Sequence, residues 1–311
     1  ADAHSNLGNI LIDLGKFQEA EISLRKAIEI KPHLGIAYYS LSTLKYSNDD
    51  DNVWKHELFS ESILNSNLPK DQAKIYFARA NILHKEKNYQ ESARYLKLAN
   101  DLKLDLNPSN PDILINKSKV LIVESGVKEI NQKEYKNCPE SIFIVGMFRS
   151  GTTLTESIIS MNKNVNDLGE SNIFEESFLD WKASKRNINL AELYWEKVNQ
   201  KTKLNITTNK WLANYQYTGI IASRIPNTKI IHCYRHPLDN ILSIYRTSFS
   251  TGLEYFSSLV DCTNVYLDQE ELMTEYKNRF REKIYDLNYD SLVSNPKQEI
   301  KSLISWLGWE W

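Results

Sequence analysis

The sequence predicts an α/β domain, with a parallel sheet flanked by helices, that follows an all-α domain built from repeated helix pairs. Three observations support this organisation. The first third of the chain repeats one helix–turn–helix pattern, and after residue 141 short apolar runs alternate with amphipathic helices. A chain of 311 residues is also long enough to form two separate hydrophobic cores.

The first repeat unit occupies residues 3–32. Gly8 and Ala20 are small, so they allow two helices to approach closely, and Pro32 ends the unit because proline cannot continue a helix. We expect the facing sides of the two helices to be apolar. The predicted packing residues are Leu7, Leu11 and Leu14 on the first helix, and Ala20, Leu24, Ala27 and Ile28 on the second.

Two further copies of this unit follow. The second is interrupted by an acidic turn at residues 48–51, whereas the third returns clearly between residues 76 and 99. Units one and three resemble tetratricopeptide repeats in their period of about 34 residues and in their packing positions. The alternative is a generic helical bundle. The resemblance implies a domain of residues 1–104 whose surface suits the binding of a peptide.

Residues 105–140 are predicted to be a linker that contains one helix, because residues 105–118 are rich in Asn, Pro and Ser. The second domain, residues 141–311, begins where the composition changes. We expect strands at 142–145, 230–234 and 284–289, and helices at 152–161, 217–224 and 300–307. Strands that alternate with helices are typical of a parallel sheet.

The loop from Gly146 to Thr153 follows a predicted strand and opens a helix. Its glycines have the spacing of the GxxxxGK[ST] loop of nucleoside triphosphatases. Successive backbone N–H groups and a helix N-terminus both favour a bound anion. Thr152 replaces the lysine that contacts ATP, and hydroxyl groups at Ser150, Thr152 and Thr153 suit a single phosphate. The alternative is a loop that only caps its helix.

Residues 143–154 resemble the 5′-phosphosulfate loop of the sulfotransferases. They are most similar to the loop of the protein-tyrosine sulfotransferases and of their bacterial tetratricopeptide-repeat relatives, although Phe148 stands where those relatives usually have proline. The resemblance implies the sulfotransferase fold, PAPS (3′-phosphoadenosine-5′-phosphosulfate) as co-substrate and no metal. It assigns nucleotide binding to five loop residues: Arg149, Ser150, Gly151, Thr152 and Thr153.

A second segment, from Arg235 to Ser243, follows the predicted strand at 230–234 and is similar to the family's 3′-phosphate site. A guanidinium at a strand end and a hydroxyl on the next helix can hold one phosphate from two sides. Arg246, one turn after Ser243, and Tyr289 are further candidates for nucleotide binding. Arg235 alone would more often be a surface ion-pair residue.

The resemblance also implies catalytic residues. Sulfuryl transfer needs a base for the acceptor and positive charge at the leaving oxygen. Glu170 matches the catalytic glutamate of the tyrosine-sulfotransferase branch, and Lys210 matches the family lysine at the bridging oxygen. Arg149 is expected to contact the transferred group. The alternatives for the base are Glu175 and Glu176, which we expect on a surface; His232 and His236 match no family base.

Composition limits the partners that we expect. The formal net charge of −2 gives no bulk attraction to nucleic acid or to an anionic membrane. No apolar run is long enough to span a membrane, and three separated cysteines suit a reducing compartment. We therefore expect a cytoplasmic protein if the source is bacterial, although a targeting segment could precede Ala1. The oligomeric state is not predicted.

Function follows from the resemblance as an expectation: transfer of a sulfuryl group from PAPS to a hydroxyl, with a protein or peptide tyrosine presented by the repeats as the favoured acceptor. The alternatives are a P-loop kinase or NTPase, and a non-catalytic repeat scaffold. Thr152 in the lysine position counts against the first alternative. Because family members continue beyond the terminal helix, we expect the second domain to be truncated at Trp311.

Overall fold

The computed structural model describes residues 1–44, 53–65, 68–126 and 138–310. They form two compact units. The first unit comprises Ala1–Asn110 and Tyr245–Cys262, and the second comprises Pro111–Ile244 and Thr263–Trp311. The predicted acidic turn at residues 48–51 lies outside the described residues, as does part of the predicted linker.

Up to residue 110, the described residues of the first unit form helices joined by short connections. Its helices are α1 (Asp2–Asp13), α2 (Phe17–Ile30), α3 (Gly35–Thr43), α4 (Val53–Phe59), α5 (Ser62–Asn65), α6 (Pro69–Lys85) and α7 (Tyr89–Leu106). Helices α1 and α2 pack as a pair, and so do α6 and α7. At Gly8 an added Cβ atom would lie 2.6 Å from Leu24, so the close approach of α1 and α2 requires a small residue there. These two pairs are the predicted first and third repeat units.

The buried face of α1 differs from the predicted one. Leu11 is buried, but Leu7 and Leu14 are 47% and 66% exposed. The face that packs on α2 is instead formed by Ser5, Gly8 and Leu11. These residues are spaced three apart along the helix and share one side of it, whereas Leu7 and Leu14 lie on a neighbouring stripe. The prediction for Leu7 and Leu14 was therefore wrong.

A segment distant in sequence completes the first unit. Residues Tyr245–Cys262 include a 3₁₀ helix at Glu254–Ser257 and belong to this unit. Side chains of α3, α6 and α7 form hydrogen bonds with its backbone. These bonds, 2.9–3.4 Å long, join Asn100 to Tyr245 O, Tyr39 to Ser248 N, Lys74 to Ser248 O, and Lys103 to Phe249 O. The repeats therefore bind this segment through its peptide groups.

The second unit contains a parallel five-stranded sheet. Its strands are β1 (Glu140–Gly146), β2 (Val165–Asp167), β3 (Ile206–Asn209), β4 (Thr228–Tyr234) and β5 (Ile284–Asn288), in the order β2-β3-β1-β4-β5. All neighbouring strands are parallel. The expected α/β fold with a parallel sheet flanked by helices is confirmed. Strands β2 and β3 were not predicted.

Helices surround this sheet. They are α8 (Asp112–Ser125), α9 (Thr152–Ile159), α10 (Ile173–Ala183), α11 (Leu190–Lys201), α12 (Asn214–Arg224), α13 (Pro237–Tyr245), α14 (Leu259–Phe280), α15 (Tyr289–Ser294) and α16 (Pro296–Leu307). Helix α8 lies in the segment predicted as a linker, yet Leu121 on it is buried in the core of the second unit. Apolar packing thus makes this helix part of the α/β unit.

The two faces of the sheet are buried against different helices. Successive side chains of a strand point to opposite faces. Phe143 and Val145 of β1 therefore pack in one cluster with Phe174, while Ile142 and Ile144 pack in the other. Such complete burial fixes β1 at the centre of the sheet, directly before the loop from Gly146 to Thr153, which we call the phosphate loop. None of the described helices has the length and apolar character that crossing a membrane requires.

Candidate active site

Five polar segments follow the five strands. In a parallel sheet the carboxyl ends of all strands meet at one edge, which is where ligands bind in open α/β folds. The phosphate loop follows β1, and Glu170 lies in the loop after β2. Lys210, Arg235 and Tyr289 follow β3, β4 and β5 directly. The fold thus gathers the predicted residues at one edge of the sheet.

The phosphate loop is strained in the way an anion cradle requires. Arg149 and Gly151 have φ angles of 67° and 91°, and left-handed residues of this kind are typical of loops whose backbone N–H groups bind an anion. Ser150 Oγ is buried without a hydrogen-bond partner in the part of the chain that the structure describes. Helix α9 begins at Thr152, and no side chain caps its first amides. These groups can be satisfied by an anion.

The two threonines of the loop differ in exposure. Thr152 is buried, whereas Thr153 is exposed on the first turn of α9. Two features require a glycine at position 151. Its φ angle is positive, and a Cβ atom there would overlap the ring of Tyr289. The predicted candidate Tyr289 therefore lies against the phosphate loop.

Helix α13 is tied to the phosphate loop at two points. Arg149 Nε donates a hydrogen bond to Ser243 Oγ at 3.2 Å. This bond joins a residue of the predicted 5′-phosphosulfate loop to a residue of the predicted 3′-phosphate site. Asn240 is fully buried, and its Nδ2 donates to the carbonyl of Phe148 at 3.0 Å. Asn240 was not predicted, since an amide on a helix carries no sequence signal for such a contact.

Arg235 lies beside the phosphate loop and is partly paired. Its Nε is 3.6 Å from Asp290 Oδ1, and its guanidinium lies 5.0 Å from the centre of the Tyr289 ring. Asp290 also accepts a hydrogen bond from the backbone N–H of His236. The aromatic ring and the carboxylate both orient Arg235.

Arg246 takes a different position from the other candidates. It belongs to the first unit, where its guanidinium contacts the imidazole of His84 at 2.8 Å. Burial lowers the pKa of His84, and the nearby charge of Arg246 lowers it further. The role of Arg246 in nucleotide binding stays a prediction.

Glu170 and Lys210, which are 40 residues apart in sequence, form an ion pair. Lys210 Nζ lies 2.6 Å from Glu170 Oε1. The lysine side chain is only 5% exposed, while the glutamate is 60% exposed. The Lys210 backbone N–H also donates to Gly169 O at 2.9 Å, which joins the end of β3 to the loop after β2. The pair therefore has a buried cation and a solvent-facing carboxylate.

A buried carboxyl beneath this pair was missed by sequence reasoning. Glu156 on α9 is 4% exposed, and Thr208 Oγ1 donates to it at 3.0 Å. Burial, and after it the nearby carboxylate of Asp167, raise the pKa of Glu156 to about 7, against the opposite effects of Thr208 and Lys210. The only available signal was one carboxylate within an otherwise uncharged short helix.

The alternative bases have structural partners. Glu175 was expected on a surface, but it is partly buried. It accepts hydrogen bonds from Lys117, Tyr217 and Trp211. Burial alone would raise the pKa of Glu175, but these donors, Lys117 foremost, hold it below its usual value. Glu176 is half-exposed and lies 3.5 Å from Lys197. Neither carboxylate lies at a strand end.

The histidines near β4 also differ from each other. His232 is fully buried within the strand, with Nδ1 3.3 Å from Asp286 and Nε2 3.5 Å from Glu270. Burial would lower the pKa of His232, but these two carboxylates outweigh that effect and raise it. His236 is exposed beside Asp239. Among the described residues, no group of three or more His, Cys, Asp or Glu side chains could hold a metal ion.

Comparison with solved structures finds sulfotransferases. The sulfotransferase domain of the olefin synthase of Synechococcus PCC 7002 is 16% identical with a TM-score of 0.44, over 59% of this chain and 78% of that one. A sulfotransferase of Alicyclobacillus acidocaldarius is 18% identical with a TM-score of 0.40, over 55% and 81%. One from Mycobacterium tuberculosis H37Rv is 11% identical with a TM-score of 0.40, over 90% and 89%.

A sequence relative and three family profiles extend the comparison. An uncharacterized protein of Aquifex aeolicus (strain VF5) is 24% identical over 98% of this chain, which spans only 43% of that relative's length. The tetratricopeptide-repeat profiles match residues 1–34 and 73–106, so the predicted first and third repeats are confirmed. The profile of the sulfotransferase family matches residues 186–311. Two segments of the chain thus match tetratricopeptide repeats, and its C-terminal part matches the sulfotransferase family.

Proposed function

We propose that this protein transfers a sulfuryl group from PAPS to a hydroxyl acceptor, with Glu170 as the base. One observation carries the proposal: the strand order places the phosphate loop of β1 between the Glu170–Lys210 pair, after β2 and β3, and Arg235 with Tyr289, after β4 and β5. A group bound by the loop would have catalytic charges on one side and binding groups on the other.

The residues present fit the two phosphate positions of such a nucleotide. The loop supplies to one phosphate its backbone N–H groups, the first turn of α9, and Ser150 Oγ, which has no hydrogen-bond partner among the described residues. Arg235 and Ser243 supply a guanidinium and a hydroxyl to the other. Bound PAPS would contribute a sulfuryl group activated by a phosphate leaving group. No lysine stands in the loop to bridge the phosphates of ATP, which disfavours a kinase or NTPase.

Glu170 is suited to accept the acceptor's proton. One of its oxygens contacts Lys210, and its exposed carboxylate can receive the proton of an approaching hydroxyl. The acceptor oxygen then forms a bond to sulfur while the bond from sulfur to the phosphate oxygen breaks. Negative charge develops on that phosphate oxygen, and Lys210 and Arg149 would stabilise it.

A tyrosine of a protein or peptide is the acceptor that we favour. The glutamate in the base position is typical of the tyrosine-sulfotransferase branch, and tetratricopeptide repeats commonly bind peptides. The histidine alternative has little support, because His232 is fully buried between two carboxylates. Carbohydrate and small phenolic acceptors use the same chemistry and are distinguished by experiment.

Two measurements on the full chain test this function. Thermal shift should show stabilisation by adenosine 3′,5′-bisphosphate, about 2.7 kcal/mol at a hundredfold excess over Kd, and none by ATP with Mg²⁺. Mass spectrometry should then detect the mass of SO₃ on tyrosyl peptides incubated with PAPS, with glycans and phenols as parallel acceptors. Stabilisation by ATP alone, or no transfer to any acceptor class, would contradict the proposal.

A further inference from the structure

Glu156 links the phosphate-loop helix to the loop that carries Glu170. It lies on the second turn of α9, next to Asp167 of β2 and Thr208 of β3. These two residues are partners in neighbouring strands of the sheet. Asp167 Oδ1 in turn accepts a hydrogen bond from the N–H of Gly169 at 2.6 Å. A short series of contacts therefore runs from Glu156 through Asp167 to the residue directly before Glu170.

The charges around Glu156 make its protonation state important. Two charged groups face it: Asp167 at the end of β2, and Lys210 after β3. When Glu156 is neutral, it can donate to Asp167 while accepting from Thr208, and Lys210 keeps Glu170 as its ion-pair partner. When Glu156 is ionised, it repels Asp167 and competes with Glu170 for Lys210.

We propose that Glu156 is a positioning residue that must hold a proton in the working enzyme, so that the Gly169–Glu170 loop and Lys210 stay in place. This proposal rests on the proposed function, in which Glu170 and Lys210 perform the chemistry. Because Glu156 is buried, it would act through the loop and not by direct contact with acceptor or nucleotide. Burial by α9 and the neighbouring carboxylate of Asp167 both disfavour its charged form.

Three variants of the full chain separate this role from a general structural one. Glu156→Gln keeps the neutral shape, a donor and an acceptor, so it imitates the protonated acid at every pH. Glu156→Leu removes all polar contacts while it fills a similar volume. Glu196→Gln changes an exposed carboxyl of α11 and serves as the matched control.

The first readout is thermal unfolding between about pH 5 and pH 9. The pKa of Glu156 is raised above its unfolded value, so its stabilising effect is present at low pH and is lost as the pH rises through about 7. We therefore expect the wild-type Tm to fall relative to that of Glu156→Gln by about 3–6 °C across this range. Glu196→Gln should follow the wild type. Parallel curves for wild type and Glu156→Gln would overturn the proposal.

The second readout is the loop itself. In Glu156→Leu, amide hydrogen exchange at residues 168–171 should be at least about tenfold faster than in the wild type at pH 6, with the affinity for adenosine 3′,5′-bisphosphate changed less than about twofold. Unchanged exchange would show that Glu156 does not position the loop. Both readouts are independent of turnover, so they remain decisive if no acceptor is sulfated and the proposed function fails.

Where transfer is observed, the pH profile adds a third readout. Wild-type kcat should decline above about pH 7 relative to Glu156→Gln, and Glu156→Leu should lose about tenfold in kcat at pH 6. Equal losses in Glu156→Gln and Glu156→Leu would mean that the charged form is needed, which contradicts the proposal.

Discussion

The two sides of the phosphate loop hold their charged groups differently. On the side of β2 and β3, the cation Lys210 is 5% exposed and its partner Glu170 faces solvent. On the side of β4 and β5, Arg235 is partly exposed, rests on an aromatic ring and is only loosely paired with Asp290. The first arrangement keeps a charge in a place of low dielectric, whereas the second leaves a guanidinium ready to exchange its partner.

The difference in burial and pairing of these charges indicates a different role for each side of the loop. A desolvated, fixed charge is most effective where charge develops during a reaction. A guanidinium with a loosely held carboxylate can bind a phosphate at little cost, because only a weak ion pair is broken. Substitutions on the first side should therefore change the rate, and those on the second side should change nucleotide affinity.

The largest effect is expected for Glu170→Gln. Loss of a general base should slow the chemical step by about 10²–10⁴, while the Kd for PAPS stays nearly constant. The amide oxygen can still accept from Lys210, so the pair's geometry is preserved. Single-turnover kinetics and calorimetry measure the two quantities. Glu176→Gln is the control, since Glu175 has three structural partners. A full rate in Glu170→Gln would remove this residue as the base.

Lys210→Met should have the next largest effect. Removal of one preorganised donor to a developing negative charge typically reduces kcat by about 10²–10³. The methionine fills the buried position without charge. Steady-state kinetics with the full chain measures kcat and KM separately. If only KM rises, Lys210 contributes uniform binding, and the proposed difference between the two sides fails.

Arg235→Ala and Ser243→Ala should weaken nucleotide binding to different degrees. A charge-assisted hydrogen bond contributes about 1.5–3 kcal/mol and a neutral one about 0.5–1.5 kcal/mol. We expect the Kd for adenosine 3′,5′-bisphosphate to rise about 10–150-fold for the arginine and about 2–10-fold for the serine. Calorimetry checks both values. Equal affinities in the two variants and the wild type would exclude this 3′-phosphate site.

The smallest effect is expected for a substitution of His232, which is buried in β4, the strand that Arg235 follows. The pKa of His232 is raised in the fold, so the charged imidazole stabilises the protein at low pH, and this contribution is lost as the pH rises through the raised value. His232→Gln should therefore cost about 1 kcal/mol near pH 5.5 and less at pH 9. Denaturant titrations at both pH values measure the difference. A constant cost would indicate that His232 is neutral throughout.

The sequence predicted the central strands better than the outer ones. Strands β1 and β4 are buried apolar runs, which periodicity detects. Strands β2 and β3 contain mainly asparagine, aspartate and threonine, and they lie where no apolar run marks a strand. Short polar strands become visible only through their pairing with neighbours, which a single sequence does not record.

Individual site residues were predicted, but their contacts were not. Glu170 and Lys210 match family positions, yet nothing in the sequence indicates that residues 40 positions apart form an ion pair. Glu156 resembles an ordinary helical charge, and only the packing of α9 over β3 shows that it is buried. Arg246 was assigned from its spacing after Ser243, whereas the chain turns into the first unit at Tyr245.

The path of Tyr245–Cys262 limits how this protein can be divided or recombined. The chain leaves the α/β unit after Ile244, one residue after Ser243, which bonds to the phosphate loop, and it returns at Thr263. A gene fragment that starts at Pro111 would encode this excursion without the side chains that hold its peptide groups. The repeats and the α/β unit should therefore be transplanted and expressed together, because no single cut separates them.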